Sequence, residues 1–147
     1  MEDVFIIKMK KLLTILMLGM FMISLVYALN YNKEIIINSE EDILNNCKDL
    51  DIEKTSYCLR DNIKPIYKYN LSKRVYVTPT FDKLKLNGGD CEDWSVYYSH
   101  LGEELGFKSS FINTYGKVPH QWTILTDEKL SCEIDQLKVN CYENKNE

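Results

Sequence analysis

Behind Lys8, Lys10 and Lys11 the chain carries no charged residue from position 12 to position 32, and residues 12–26 form an apolar run of 15. A basic segment, an apolar core of this length and then Val26-Tyr27-Ala28 read as an export leader cleaved after Ala28. Met9 is an alternative start, because the leader reads better without the eight residues before it. The competing reading is an uncleaved membrane anchor. A spanning helix needs about 20 apolar residues, and residues 12–29 supply 18. In both readings residues 1–28 stand apart from the folded domain, and the remainder of the chain faces the outside of the cytoplasm, where disulfides persist.

Without residues 1–28 the chain of 147 keeps 119, enough for one small hydrophobic core. Its balance is then 15 basic residues against 20 acidic, a net charge of −5. There is no basic patch and no interleaving of aromatics with Lys or Arg, so nucleic acid is not an expected partner. Five cysteines remain: Cys47, Cys58, Cys91, Cys132 and Cys141. The spacing of two to four residues that a zinc site uses between paired cysteines does not occur, and neither a metal nor another cofactor is expected. Cys47 and Cys58 lie 11 apart, Cys132 and Cys141 nine apart, with Cys91 between the pairs. Four cysteines allow three connectivities. The local one, Cys47–Cys58 with Cys132–Cys141, is the expectation, and it leaves Cys91 as a free thiol.

Periodicity organises the rest. In "SEEDILNNCKDLDIEKTSYCLRDNI", Ser39 with Asp42 three residues later has capping-box spacing. Two short helices are expected there, the second ending before Pro65. "KRVYVTP" has strand composition, stopped by Pro79, and Asn87-Gly88-Gly89 reads as a loop. "SSFINTY", "HQWTILT" and "SCEIDQ" read as three antiparallel strands joined by tight turns.

The most informative stretch is "GGDCEDWSVYYSHLGEELGF". Asp90 is a good N-cap and Asp93 completes a capping box, which makes Cys91 the first helical residue. Trp94, Tyr98, Leu101 and Leu105 recur at helical spacing and mark the buried face, with Gly106 as the left-handed stop. Cys91 falls on that face. The positive end of the helix dipole favours an anion there, whereas Glu92 and Asp93 oppose one. Charge alone therefore does not activate the thiol, and a paired base is needed. Of the two histidines, His100 is nine residues along the same helix, roughly 180° around and about 13 Å along the axis, a surface position out of reach. His120 opens a strand, and Asp135 lies one strand further on. If the helix packs on that sheet, a strand end brings His120 to Cys91. Asp127 and Glu133 are rival third members.

These motifs, "GGDCEDWS", "PHQWTIL" and "CEIDQ" in that order, resemble the transglutaminase-like core, a rearranged relative of papain-type cysteine proteases. "CLRDNIKPIYKYN" is similar to its preceding helix and loop. The resemblance spans residues 43–141, within a domain of residues 29–147. The flanks differ from many members: Pro119 and Gln121 border the histidine, and Gln136 follows Asp135. The resemblance implies an α+β fold, with N-terminal helices and a nucleophile-bearing helix packed on a small antiparallel sheet, here preceded by an apolar leader helix. It implies Cys91 as nucleophile, His120 as base, Asp135 as the group orienting the imidazole, and a thioester intermediate formed from a peptide or side-chain amide. The Cys91 N–H would supply half of an oxyanion hole. Tyr67 and Tyr69 are candidates for the other half, with Tyr69 put forward, and aromatic packing is their competing role. Trp94 and Trp122 are expected to wall a substrate groove.

Three readings are then open. One is a thiol enzyme acting on peptide or protein amides by hydrolysis or transamidation, membrane-bound only if the leader is retained. Another is a non-catalytic peptide- or glycan-binding module on the same fold. The third is a disulfide-stabilised structural domain in which Cys91 is bridged.

Overall fold

The computed structural model of the chain describes residues 15–22, 37–71 and 79–144. Residues 1–35 and 36–147 form two separate units. In the first, residues 15–22 are a helix, α1, with exposed Ile15, Leu16, Met17 and Phe21. Among the described residues no helix is long and apolar enough to cross a membrane. The rest of the expected leader, including Ala28, lies outside the described residues, as does most of the strand expected over 73–79.

The second unit is α+β: helices α2 (Glu40–Cys47), α3 (Ile52–Ile63), α4 (Phe81–Asn87) and α5 (Cys91–Glu104), then strands β1 (Lys108–Thr114), β2 (His120–Thr126), β3 (Leu130–Asp135) and β4 (Lys138–Glu143). The α2 start obeys its capping box. Asp42 N–H donates to Ser39 Oγ at 3.2 Å, and Ser39 N–H donates to Asp42 Oδ2 at 3.0 Å. Backbone donors from Asn38 and Ser39 hold the Asp42 carboxyl below the usual range. The α3 helix is started by Asp51, whose carboxylate accepts from Lys54 N–H at 2.8 Å, and it stops two residues before Pro65. The two helices are stapled by the Cys47–Cys58 disulfide, with Cα atoms 5.7 Å apart. Asn62 braces the staple: its amide donates to the Cys58 carbonyl at 2.9 Å and accepts from Asn46 Nδ2 at 2.7 Å.

The strands form one antiparallel meander in the order β1-β2-β3-β4. Cys132 pairs directly with Cys141 across β3 and β4, and the two are bridged. The fourth strand extends the expected three, and α4 was not anticipated. Strand alternation sends Leu125, Cys132 and Ile134 inward, where each is fully buried with Leu59, Ile63, Trp94, Tyr98 and Leu101 from the helices. Helix α5 lies close on β2. A Cβ placed on Gly102 would run into the Leu125 side chain, so the approach requires glycine. Beyond α5, Gly106 takes φ 91°, the left-handed stop expected of it.

Candidate active site

The start of α5 is built as its sequence dictates. Asp90 accepts from the amides of Glu92 (2.9 Å) and Asp93 (3.2 Å), and Asp93 Oδ2 accepts from Asp90 N–H at 3.0 Å. The amide of Cys91 is not one of those the cap consumes. Cys91 is half-buried and unbridged, while the other four cysteines form the two local disulfides.

The glycine pair before it serves a close backbone crossing. Gly89 N–H donates to Lys68 O at 3.0 Å, Asn70 N–H donates to Gly89 O at 2.9 Å, and Tyr69 and Gly89 form a parallel bridge. Gly88 has φ 75°, and a Cβ there would lie 2.5 Å from Lys68 O. The same Lys68 carbonyl accepts from Trp94 Nε1–H at 3.2 Å. The segment 67–70 is thereby stitched against the turn that presents Cys91.

The two candidate tyrosines of that segment differ in burial. The Tyr67 ring lies 4.9 Å from the Trp94 ring. Its hydroxyl is buried and has no hydrogen-bond partner among the described residues. Burial pushes the Tyr67 phenol up to about 12, with smaller contributions in the same direction from Tyr69, Asp135 and Cys91. Tyr69, the donor put forward from sequence, has 54% of its surface exposed. Trp94 requires a correction. It is fully buried, so it belongs to the core beneath the site and cannot wall an open groove.

On the sheet side, His120 begins β2. Its Nε2 and Asp135 Oδ1 are 2.8 Å apart, with both side chains about one-third exposed. The β2–β3 ladder runs from Thr126–Ser131 to Thr123–Ile134, so the histidine and aspartate meet beyond its last pair, where the strands are open. Because Cys132 and Ile134 point inward, Asp135 belongs to the outer face, as alternation requires. Asp135 takes Nε2, and Nδ1 has no hydrogen bond among the described residues. Trp122 is on the same face, its ring 5.6 Å from the imidazole.

The rival residues are engaged elsewhere. Asp127 caps the β2–β3 turn by accepting from the amides of Lys129 and Leu130, and Glu133 accepts from Tyr142 Oη at 3.2 Å. His100 Nε2 pairs with Glu40 Oε1 at 3.0 Å. It lines a cleft of about 380 Å³ with Ser39, Glu40 and Phe81, and that cleft does not include Cys91.

No protein-family model matches the chain, and neither a curated protein nor a solved structure matches it.

Proposed function

We propose that this chain is an extracytoplasmic thiol enzyme that cleaves or exchanges amide bonds through Cys91, His120 and Asp135. The observation that carries the reading is the His120–Asp135 pair at 2.8 Å. A histidine held at Nε2 by a carboxylate offers Nδ1 as a base, and Cys91 is unbridged at the start of α5, the helix that packs on β2. The two disulfides are consistent with an oxidising compartment.

In this mechanism Cys91 Sγ attacks the substrate carbonyl carbon, and its proton passes to His120 Nδ1. Negative charge develops on the carbonyl oxygen. The Cys91 N–H, at the positive end of α5, is one donor to it. Tyr67 is taken as the second donor ahead of Tyr69, because its hydroxyl has no hydrogen-bond partner among the described residues and a substrate carbonyl oxygen would supply one. As the C–N bond breaks, His120 returns the proton to the departing nitrogen, leaving a Cys91 thioester. Water or a second amine then attacks that carbonyl carbon, His120 takes its proton, and the thiol is restored. Asp135 holds the imidazole in one tautomer and offsets the imidazolium charge throughout.

The test is alkylation of the purified domain by iodoacetamide, followed by intact mass across pH. One adduct, mapping to Cys91, should form in mildly acidic buffer and be suppressed in His120→Ala. A thiol whose pH profile is indifferent to His120→Ala would remove the enzyme reading.

A further inference from the structure

His120 lies at the end of β2 that the sheet holds least. Its pairing with β3 stops at Thr123, and at His120 itself β2 pairs only with Thr114 of the edge strand β1. The hairpin beyond carries Tyr115 and Val118, 92% and 80% exposed, and among the described residues the side-chain bond to His120's backbone there is a long one, Thr114 Oγ1 to His120 O at 3.4 Å. Yet base catalysis by His120 needs its imidazole held near Cys91 to within a fraction of an ångström.

The α5-facing side chains of this strand end converge on one residue. Gln121 Nε2 donates to Ser95 Oγ at 2.5 Å, and Thr123 Oγ1 donates to the Ser95 carbonyl, also at 2.5 Å. Ser95 is one helical turn after Cys91 and only 2% exposed. Its hydroxyl in turn donates to Glu92 O at 2.9 Å, within the turn that Cys91 begins. A buried helical serine is satisfied by such a back-bond to its own helix. The bond from Gln121 is additional, and it joins the residue next to the base to the turn bearing the thiol.

We infer that Gln121 and Ser95 are a positioning pair, which sets the approach of His120 to Cys91 through the hydrogen-bond chain Gln121 to Ser95 to Glu92. This rests on the thiol-enzyme reading above. The glutamine side chain is long enough to span from strand to helix.

The test is again the pH profile of Cys91 alkylation, with melting temperature measured alongside. Gln121→Met keeps the side-chain volume and deletes the amide. It should lower the acidic-range alkylation rate roughly tenfold to a hundredfold at a nearly unchanged melting temperature. Ser95→Ala should do the same, and the double variant should fall no further than either single one, because the two act through one bond. A lowered melting temperature with an unaltered profile in Gln121→Met overturns the pair as a positioning device. So do additive losses. If His120→Ala changes the profile and Gln121→Met does not, only this inference fails. If His120→Ala changes nothing, the enzyme reading fails and takes this inference with it.

Discussion

His120 and Asp135 meet 2.8 Å apart where β2 and β3 have opened beyond their last paired residues. A pair placed inside the ladder would have its side chains fixed by cross-strand packing. Placed at the mouth, it remains about one-third exposed. In the proposed reaction Cys91→Ala and His120→Ala should each abolish turnover. Asp135→Ala should leave a residue of it, down by about 10²–10⁴-fold, because the base remains but loses its orientation. His100→Ala, paired with Glu40 instead, should leave the rate unchanged. Steady-state rates on an amide substrate decide this, and equal activity in His120→Ala and wild type would refute it.

Tyr67→Phe removes only the buried hydroxyl, unpartnered among the described residues, and keeps the ring packed at a tilt against Trp94. If that hydroxyl binds the developing oxyanion, kcat should fall by about 10²–10³-fold with little change in KM. Tyr69→Phe, at an exposed side chain, should be nearly silent. Reversal of that order would return the role to Tyr69.

Gly88→Ala tests the crossing beneath the nucleophile. The φ of 75° disfavours any side chain, and the new Cβ would sit 2.5 Å from the Lys68 carbonyl, a backbone atom that cannot rotate away. The expected cost is about 1–3 kcal/mol, readable in chemical denaturation. Loss of Cys91 reactivity should accompany it, since Lys68 O anchors both Gly89 and Trp94.

Much of this was legible from residue order because local signals and fold agree. Ser39 with Asp42 and Asp90 with Asp93 form the capping boxes their spacing implies. Pro65 and Gly106 lie just past their helices, and alternation sends Cys132 inward and Asp135 outward. The misses have physical causes. Helix α4 is seven residues long, with two buried positions, Phe81 and Leu84, and a Thr80 cap that makes no side-chain bond. That is too short to show a period. Strand β4 comes after a two-residue turn in which Gln136 takes φ 55° without a glycine or asparagine to announce it. Trp94 and Trp122 look alike in sequence. Only packing separates the core tryptophan from the one beside the imidazole.

Both disulfides close short loops, with separations of 11 and nine residues. In the chain-entropy picture each contributes about 2–3 kcal/mol. Replacing Cys47 and Cys58 together by alanine should therefore lower the melting temperature by on the order of 10–20 °C. It also strips the Asn62 amide of its sulfur neighbours. Peptide mapping without reduction should recover both local bridges and a free Cys91. A peptide linking Cys91 to any other cysteine would rule out that connectivity and the thiol enzyme together.

The buried phenols make the fold sensitive to base. Tyr97 and Tyr98 are fully buried, and burial raises both phenols well above their ordinary value, as it does Tyr67, to about 12. In the unfolded chain a phenol titrates near 10. Below that value both states hold the proton and the contribution to stability is complete. Above it the unfolded state gives up protons that the folded state keeps, so stability falls as pH rises. As far as these phenols set it, the melting temperature should be flat below about pH 9 and decline steeply above about 10. Absorbance at the phenolate band should then show some of the ten tyrosines ionising only as the near-ultraviolet dichroism is lost. Tyr98→Phe should flatten the alkaline slope without altering the shape of the lower-pH plateau. All ten phenols ionising together near pH 10 in a still-native protein would contradict the burial of Tyr97 and Tyr98, and with it the packing of α5 on the core.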